Sequence, residues 1–430
     1  MEQNYLPRTV DKILEERLDA SGAVLIAGPK WCGKTTTATQ QAKSVLKLQD
    51  PDKMQGYLAA AETKPSLLLK GENPRLIDEW QMAPMLWDAV RNAVDERDEE
   101  GLFILTGSTT VDESSIMHSG TGRISRMAMY PMSLFESMES NGKISLGELF
   151  KNPDLDIDGA TSDLSIESLV FAACRGGWPS SLRKKTDKAK LFEAQNYVAN
   201  IYNSDASTVD GVKRSPERVK AVLQSYARNI STLATNKTIL EDVASNYSDI
   251  SEPTLISYVE ALEKLYVIEN IPAWCPSIRS ATAIRSNKKR GFTDPSIAVG
   301  SLALSPETLL MDFNTFGFIF ECLCFRDLKA YSASWNGRVS YYRDRYGLEA
   351  DCVLHLADGR YALIEFKLGS SGIEEGAAHL LELKSLIRKA NREKRAKLRE
   401  PDLLIVITGG EMAYTRKDGV KIIPIGCLKN

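Results

Sequence analysis

The chain has 430 residues, a formal net charge of −3, 43% hydrophobic and 26% charged residues. These values fit folded globular domains and exclude disorder as the main state; at roughly 150 residues per domain the length suggests two to four of them. With no global basic excess, any contact with nucleic acid has to come from local patches.

The longest apolar stretches, about Gly22 to Gly28 and Phe316 to Phe325, fall short of the ~20 residues of a membrane span. The opening MEQNYLPRTV has no apolar core of a secretory signal, so a cytoplasmic protein without membrane contact is expected. The cysteines are scattered, with no CxxC pair, and His118, His355 and His379 lie far apart. Reduced thiols are expected, without a disulfide framework or a His-rich metal site.

In chain order, Ala23–Ala27, Leu46–Leu48, Arg75–Ile77 and Leu102–Thr106 are short apolar runs that read as buried strands. Thr35–Val45 and Met85–Arg97 between them read as helices, and this alternation predicts a parallel sheet with helices on both faces. Asn152–Ser165 is acidic and polar and reads as a loop. From about Ser215 to Pro272 the pattern is helical. Pro216 can open one helix, Ile239–Asn246 forms a second, and Ser251-Glu252-Pro253 caps a third with Leu255, Val259 and Leu262 as its apolar stripe. With Tyr266–Asn270 as a strand, this region is winged-helix-like. The C-terminal part reads as a second α/β unit. Phe313–Lys329 and Gly376–Lys389 are helical, and Val339–Asp344, Asp351–Leu356, Tyr361–Phe366 and Leu403–Thr408 are strands, the middle two joined at Asp358-Gly359.

The strongest motif is Gly28-Pro29-Lys30-Trp31-Cys32-Gly33-Lys34-Thr35, a full match to G-x-x-x-x-G-K-[ST] between an apolar strand and a helix. Its glycines let backbone N–H groups face phosphates, and the following helix N-terminus adds partial positive charge. A nucleotide site formed by Gly28 to Thr35 together with Thr36 is therefore expected, with ATP and Mg²⁺ as cofactors. Lys34 would pair with the β- and γ-phosphates, and the Thr35 hydroxyl would join the metal shell. Arg75-Leu76-Ile77-Asp78-Glu79-Trp80 ends an apolar run in two carboxylates: Asp78 for the magnesium shell, Glu79 to polarise the attacking water. Ser108, or alternatively Thr106, is the candidate hydroxyl that positions that water.

In this order the residues resemble the P-loop ATPases of the AAA+ superfamily. Gly122-Arg123-Ile124-Ser125-Arg126 strengthens the resemblance, which implies an arginine reaching a neighbouring subunit's nucleotide. Arg123 is the candidate and Arg126 a weaker one; Arg175 is an alternative acting from a lid in cis. An arginine from a neighbour implies a nucleotide-dependent homo-oligomer.

The C-terminal unit carries Glu349-Ala350-Asp351, a hairpin, and Glu365-Phe366-Lys367, which is similar to the PD-(D/E)xK nuclease fold. Glu365 and Lys367 project to one face of a strand, and Asp351 on its neighbour can point there too. Asp351 and Glu365 are candidate ligands of a hard cation, Lys367 can hold a water, and Glu321 on the preceding helix is the extra carboxylate. A buried Glu–Lys pair would also satisfy itself without metal. Arg285–Arg290 and the basic stretch Lys384, Arg388, Lys389, Arg392, Lys394, Arg395, Lys397 and Arg399 are candidate DNA contacts, although a charge run is usually a solvated face.

Taken together with Pro131–Glu136, Gly176-Gly177-Trp178-Pro179 and Phe292-Thr293-Asp294-Pro295, the chain resembles ATPases that carry a DUF4143 domain. The fold expected is α/β. It has an N-terminal P-loop parallel sheet of AAA+ type (1–145), a lid or connector (146–210), a winged-helix-like middle (211–280) and a C-terminal nuclease-like α/β domain (281–430). The function expected is Mg²⁺-dependent ATP hydrolysis coupled to the C-terminal domain. That domain is either an ATP-regulated Mg²⁺-dependent DNA endonuclease or a non-cutting switch that binds DNA or protein.

Overall fold

The computed structural model describes residues 5–109, 118–276, 287–393 and 397–430. It divides into two compact units, Met1–Pro131 with Ala261–Tyr266, and Met132–Glu260 with Val267–Asn430.

In the first unit β1 (Ala23–Ala27), β2 (Ser44–Lys47), β3 (Arg75–Asp78), β4 (Phe103–Gly107) and β5 (Ile124–Ala128) form one sheet in the order β2-β3-β4-β1-β5. Every neighbouring pair is parallel. β4 is buried along its whole length and β1 along nearly all of it, so both read as unbroken apolar runs rather than alternating ones. Helices α1 (Val10–Leu18), α2 (Lys34–Gln41), α3 (Met54–Thr63) and α4 (Met85–Arg97) accompany them. Leu25, Ile77, Trp80, Leu86, Trp87, Val90, Phe103 and Leu105 share one core cluster.

Two boundaries differ from expectation. The helix expected over Thr35–Val45 stops at Gln41, because Ala42 turns to an extended conformation and Lys43 N donates to Pro74 O. Ser44 and Val45 then belong to β2. β5 has no counterpart among the expected strands: Ser125 and Arg126 interrupt its apolar character, as befits an edge strand covered on one face.

The second unit begins with helices and ends in a mixed sheet. Ser165, Thr186, Ser215, Thr235 and Ser305 each cap a helix by accepting a backbone N–H on the side-chain oxygen. The expected strand over Tyr266–Asn270 is absent among the described residues. Only isolated bridges, Ile268 to Phe292 and Ile271 to Lys289, occur there, and Tyr266 has a left-handed φ of 56° that breaks the extended run. β6 (Ile144–Ser145) pairs with β13 (Leu428–Lys429) in a small separate ladder. β7 (Arg338–Arg343), β8 (Glu349–His355), β9 (Tyr361–Lys367), β10 (Leu403–Thr408), β11 (Tyr414–Thr415) and β12 (Lys421–Pro424) form a sheet in the order β11-β12-β10-β9-β8-β7. β8 pairs antiparallel with β9, and β9 parallel with β10. The Ile373–Arg392 helix buries Ile373, Ala377, Leu380, Leu383 and Ile387 in one cluster with Val353, Leu363 and Val406 of the sheet.

A buried ionic triad joins three of the motifs noted in the sequence. Arg326 Nη1 lies 3.1 Å from Asp294 Oδ2, and Arg326 Nη2 lies 2.7 Å from Asp327 Oδ1, all three residues being buried. Asp294 accepts the Gly177 N–H at 2.9 Å and Asp327 the Leu134 N–H at 3.0 Å. The Thr293-Asp294-Pro295, Gly176–Pro179 and Met132–Glu136 segments therefore meet on one guanidinium, which none of the three could reveal alone. Among the described residues no helix is long and apolar enough to cross a membrane.

Candidate functional site

All five strands of the first sheet point the same way, so their carboxyl ends share one edge. The register places Ala27 beside Gly107 and Asp78 beside Thr106. The loops after β1, β3 and β4 thus emerge together, the position where open α/β sheets bind ligands.

The loop after β1 is shaped by its glycines. A Cβ on Gly28 would sit 2.1 Å from the Met129 carbonyl oxygen, and Gly33 has φ 103° at the start of α2, so neither position accepts a larger residue without strain. Arg8 is buried and holds the loop from outside, donating to Cys32 O at 2.7 Å and Tyr130 O at 2.8 Å. Lys34, 5% exposed, turns its ammonium onto the carbonyls of Gly28 (2.9 Å) and Pro29 (2.8 Å). Lys30 is half-buried, while Trp31 and Thr36 are exposed.

Asp78, Glu79, Thr106 and Ser108 are brought together by the sheet register. Thr35 Oγ1 donates to Asp78 Oδ1 at 2.7 Å, and Thr106 Oγ1 donates to the same oxygen at 2.6 Å. Thr106 Oγ1 also accepts the Glu79 N–H at 3.2 Å. Ser108 Oγ donates to Glu79 Oε2 at 2.8 Å. Both hydroxyls proposed for the end of β4 are thus engaged, each with a different carboxylate. Glu79 has φ 57°, a left-handed conformation that is strained for a non-glycine residue and aims its side chain away from the strand direction.

Nothing local in the sequence singles out Gln81. The short 3₁₀ turn Trp80–Met82 returns it to Glu79, so that its Nε2 donates to Glu79 Oε2 and, at 3.2 Å, to Ser108 Oγ. Sequence reasoning misses Arg8 as well, since a lone arginine ahead of a helix carries no local signal.

Arg123 precedes β5 at the opposite edge of the sheet, where Ala23 N donates to Arg123 O. The five residues of β1 separate that edge from the loop at Gly28 by roughly 16 Å. Arg123 is half-exposed and pairs with Asp95 at 2.6 Å, and Arg126 lies 5.0 Å from the Trp87 ring. Arg175, in the second unit, is buried and ion-paired with Glu139.

Residues 20–138 match the family model described as an AAA domain. Residues 166–308 match a domain of unknown function, DUF8612, and residues 316–428 match another, DUF4143. Among solved structures it is similar to a Walker-type ATPase of Pyrococcus abyssi, at 16% identity and a TM-score of 0.43, over 70% of this chain and 97% of that one. A replication initiator DnaA, bound to AMPPCP and single-stranded DNA, shows 13% identity and a TM-score of 0.27 over 59% of this chain and 86% of its own. Drosophila ORC bound to DNA shows 14% identity and a TM-score of 0.18, over 68% and 84%. No curated protein matches.

The DUF4143 segment holds the second candidate cluster. Glu321 comes from the Phe313–Ser332 helix, Asp351 from β8, and Glu365 and Lys367 from β9. Lys289 Nζ lies 2.6 Å from Glu321 Oε1 and 3.7 Å from Asp351 Oδ1. Lys367 Nζ lies 3.0 Å from Glu365 Oε2. Asp351 Oδ2 accepts the Phe366 N–H at 3.0 Å. Burial pushes Glu321 up to about 8 against the pull of Lys289. Burial likewise pushes Glu365 up to about 8, helped by Asp351 and opposed by Lys367. For Lys289 burial works downward, but Glu321 and Asp351 outweigh it and the net shift is upward. Three carboxylates face two ammonium groups here, so the cluster carries a surplus negative charge that a raised carboxyl neutralises by holding a proton. Among the described residues no three His, Cys, Asp or Glu side chains are grouped as a metal ligand set.

The two basic patches resolve differently. In the first, Arg285 and Ser286 lie outside the described residues, Asn287 and Lys288 are exposed, and Lys289 and Arg290 are buried. Arg290 donates to Ala234 O, the Tyr226 hydroxyl and Asn236 Oδ1. These last two cations are internal ties rather than phosphate contacts. In the second patch Lys394 and Arg395 lie outside the described residues, and Arg388 and Arg399 pair with Glu400 and Asp402. Lys389 and Arg392 are exposed on the Ile373–Arg392 helix. Tyr341 is buried and Trp335 half-buried beside Phe150, so neither offers an open stacking face.

Proposed function

We propose that the chain binds ATP at Gly28–Thr36 and hydrolyses it, and that nucleotide state is coupled to the C-terminal unit. The observation that carries this reading is the single network in which Asp78 takes the hydroxyls of Thr35 and Thr106 while Glu79 takes the Ser108 hydroxyl and the Gln81 amide. A hydroxyl and a carboxylate oxygen 2.7 Å apart are an all-oxygen donor set, which fits a hard divalent cation such as Mg²⁺. Thr35 would hold that ion directly and Asp78 through its hydration shell. An ion held by these residues would supply charge neutralisation to a bound triphosphate.

The protein's own groups then divide the work. Lys34, now turned onto two loop carbonyls, is within side-chain reach of a triphosphate cradled by the same loop. Glu79 orients a water in line with the γ-phosphate, and Ser108 and Gln81 fix its carboxylate so that no reorganisation is needed in the transition state. The place of Arg123 on the far edge of the sheet supports a role toward a second subunit's nucleotide, which requires a homo-oligomer.

Coupling is supported by the segment Met129–Glu136. Within the first unit the Met129 carbonyl abuts Gly28, and within the second Leu134 is bonded to Asp327 of the buried triad. A few consecutive residues therefore belong to both surroundings. The exposed Lys389 and Arg392 support a DNA contact on the C-terminal unit. The reading is tested by ATP turnover of wild type and Glu79→Gln with Mg²⁺, with and without DNA. Turnover stimulated by DNA in wild type and lost in Glu79→Gln is expected; equal turnover in both proteins overturns the role of Glu79.

A further inference from the structure

We infer that Lys289 is the resident cation of the Glu321–Asp351–Glu365 cluster, filling the place that the D…E-x-K pattern reserves for a divalent metal, so that the C-terminal unit is a lysine-held scaffold rather than a metal-dependent nuclease. The inference is independent of the nucleotide site.

A hard divalent ion takes six or more oxygen ligands and, in a hydrolytic site, keeps some of those positions for water. Four of the six carboxylate oxygens here are already committed. Glu321 Oε1 and Asp351 Oδ1 face the Lys289 ammonium, the nearer at 2.6 Å. Asp351 Oδ2 is fixed on the Phe366 N–H, and Glu365 Oε2 faces Lys367. Glu365 Oε1, buried and without a hydrogen-bond partner, and the second oxygen of Glu321 are what is left over, and two oxygens from two separate carboxylates fall short of the set a hard divalent ion takes.

Nor is Lys289 placed to swing away. It is 7% exposed, and its ammonium lies 5.7 Å from the Tyr341 ring and 5.9 Å from that of Phe325, so aromatic faces complete its cage. Its backbone is fixed as well, since Lys289 N donates to Ile271 O and Ile271 N donates back to Lys289 O. A metal entering this cluster would have to displace a buried ammonium from its carboxylates, and an unpaired buried charge is strongly disfavoured. The D…E-x-K spacing cannot disclose this, because Lys289 lies far upstream of Asp351 in the chain.

The test uses the full, nucleotide-free chain. Binding of Mn²⁺ is followed by the loss of its free electron-paramagnetic-resonance signal for wild type, Asp351→Asn, Lys289→Met and Lys289→Met/Asp351→Asn. Wild type and Asp351→Asn are expected to titrate identically. Lys289→Met is expected to gain one Mn²⁺ that the double variant loses again. A wild-type Mn²⁺ site abolished by Asp351→Asn overturns the inference, as does a folded Lys289→Met that gains none. Should Lys289→Met fail to fold, the comparison of wild type with Asp351→Asn decides alone. It is joined by plasmid incubation with Mn²⁺, in which cleavage by wild type that Asp351→Asn removes is again the overturning result.

Discussion

Thr35 donates its hydroxyl to Asp78 across 2.7 Å, although one stands in the first turn of α2 and the other at the end of β3. The contact exists because β1 and β3 each pair parallel with β4, which delivers the residue after the glycine loop and the last residue of β3 to the same edge. Thr106, from β4 itself, donates to the same carboxylate oxygen and locks the pair from the middle strand.

If this edge holds a Mg²⁺-nucleotide, Lys34→Ala should remove the heat of ATP binding in calorimetry. Thr35→Ala should leave binding measurable but take away its dependence on Mg²⁺. Undiminished ATP binding by a folded Lys34→Ala protein would remove the basis for the site.

Glu79 and Gln81 should separate chemistry from binding. Replacing a positioned general base lowers turnover by about 10² to 10⁴-fold, so Glu79→Gln should retain ATP with turnover reduced on that scale. Gln81→Leu deletes one hydrogen bond to a charged group, worth about 1.5–3 kcal/mol, and turnover should fall roughly ten- to a hundredfold. Single-turnover kinetics with bound ATP checks both, and a Gln81→Leu enzyme as fast as wild type would sink the positioning role.

Arg123 offers a complementation experiment. Arg123→Ala and Lys34→Ala should each be inactive alone. Mixed, they should regain part of the turnover, because an intact nucleotide loop from one chain can meet an intact Arg123 from the other. A mixture no more active than its components would show that Arg123 does not act between subunits.

The Asp294–Arg326–Asp327 triad should be indispensable one member at a time. Arg326→Met leaves two buried carboxylates uncompensated, and breaking a buried pair costs about 3–5 kcal/mol. The urea midpoint should drop accordingly. Combining Asp294→Asn, Arg326→Met and Asp327→Asn in one protein removes the charges together and should recover a substantial part of the loss. A triple variant no better than Arg326→Met would mean that packing rather than charge holds this junction.

The carboxylate cluster predicts a pH dependence whose sign follows from the direction of its shifts. Glu321 is raised by burial to about 8 from the ordinary 4.5, so its folded form binds a proton more tightly than its unfolded form. Its contribution to stability is fully present below about pH 4.5 and is lost as pH rises to about 8. The groups facing it are Lys289, Asp351 and Glu349, and Glu365 shifts the same way. Glu321→Gln should therefore flatten, without abolishing, the fall of the urea midpoint between those pH values. An unchanged slope would show that Glu321 does not carry that proton.

The glycine loop, the acidic end of β3 and the hydroxyl-bearing end of β4 were legible in the sequence because each is a local pattern: an apolar run long enough for a buried strand, followed by residues whose chemistry suits phosphate or metal. Met85–Arg97 and Leu403–Thr408 were legible to the residue for the same reason, as uninterrupted segments with clear ends. β5 was not, since an edge strand with Ser125 and Arg126 in it lacks the buried-strand signature. What only the tertiary structure decided is pairing between distant segments. Gln81 and Arg8 acquire roles through a turn and a long-range contact that leave no periodicity. Lys289 and Arg290 look like a surface charge run until Glu321 and Tyr226 arrive from other helices to bury them. Local chemistry fixes which residues can act; three-dimensional pairing fixes which of them are already spent on one another, because a buried charge must find its partner wherever in the chain that partner lies.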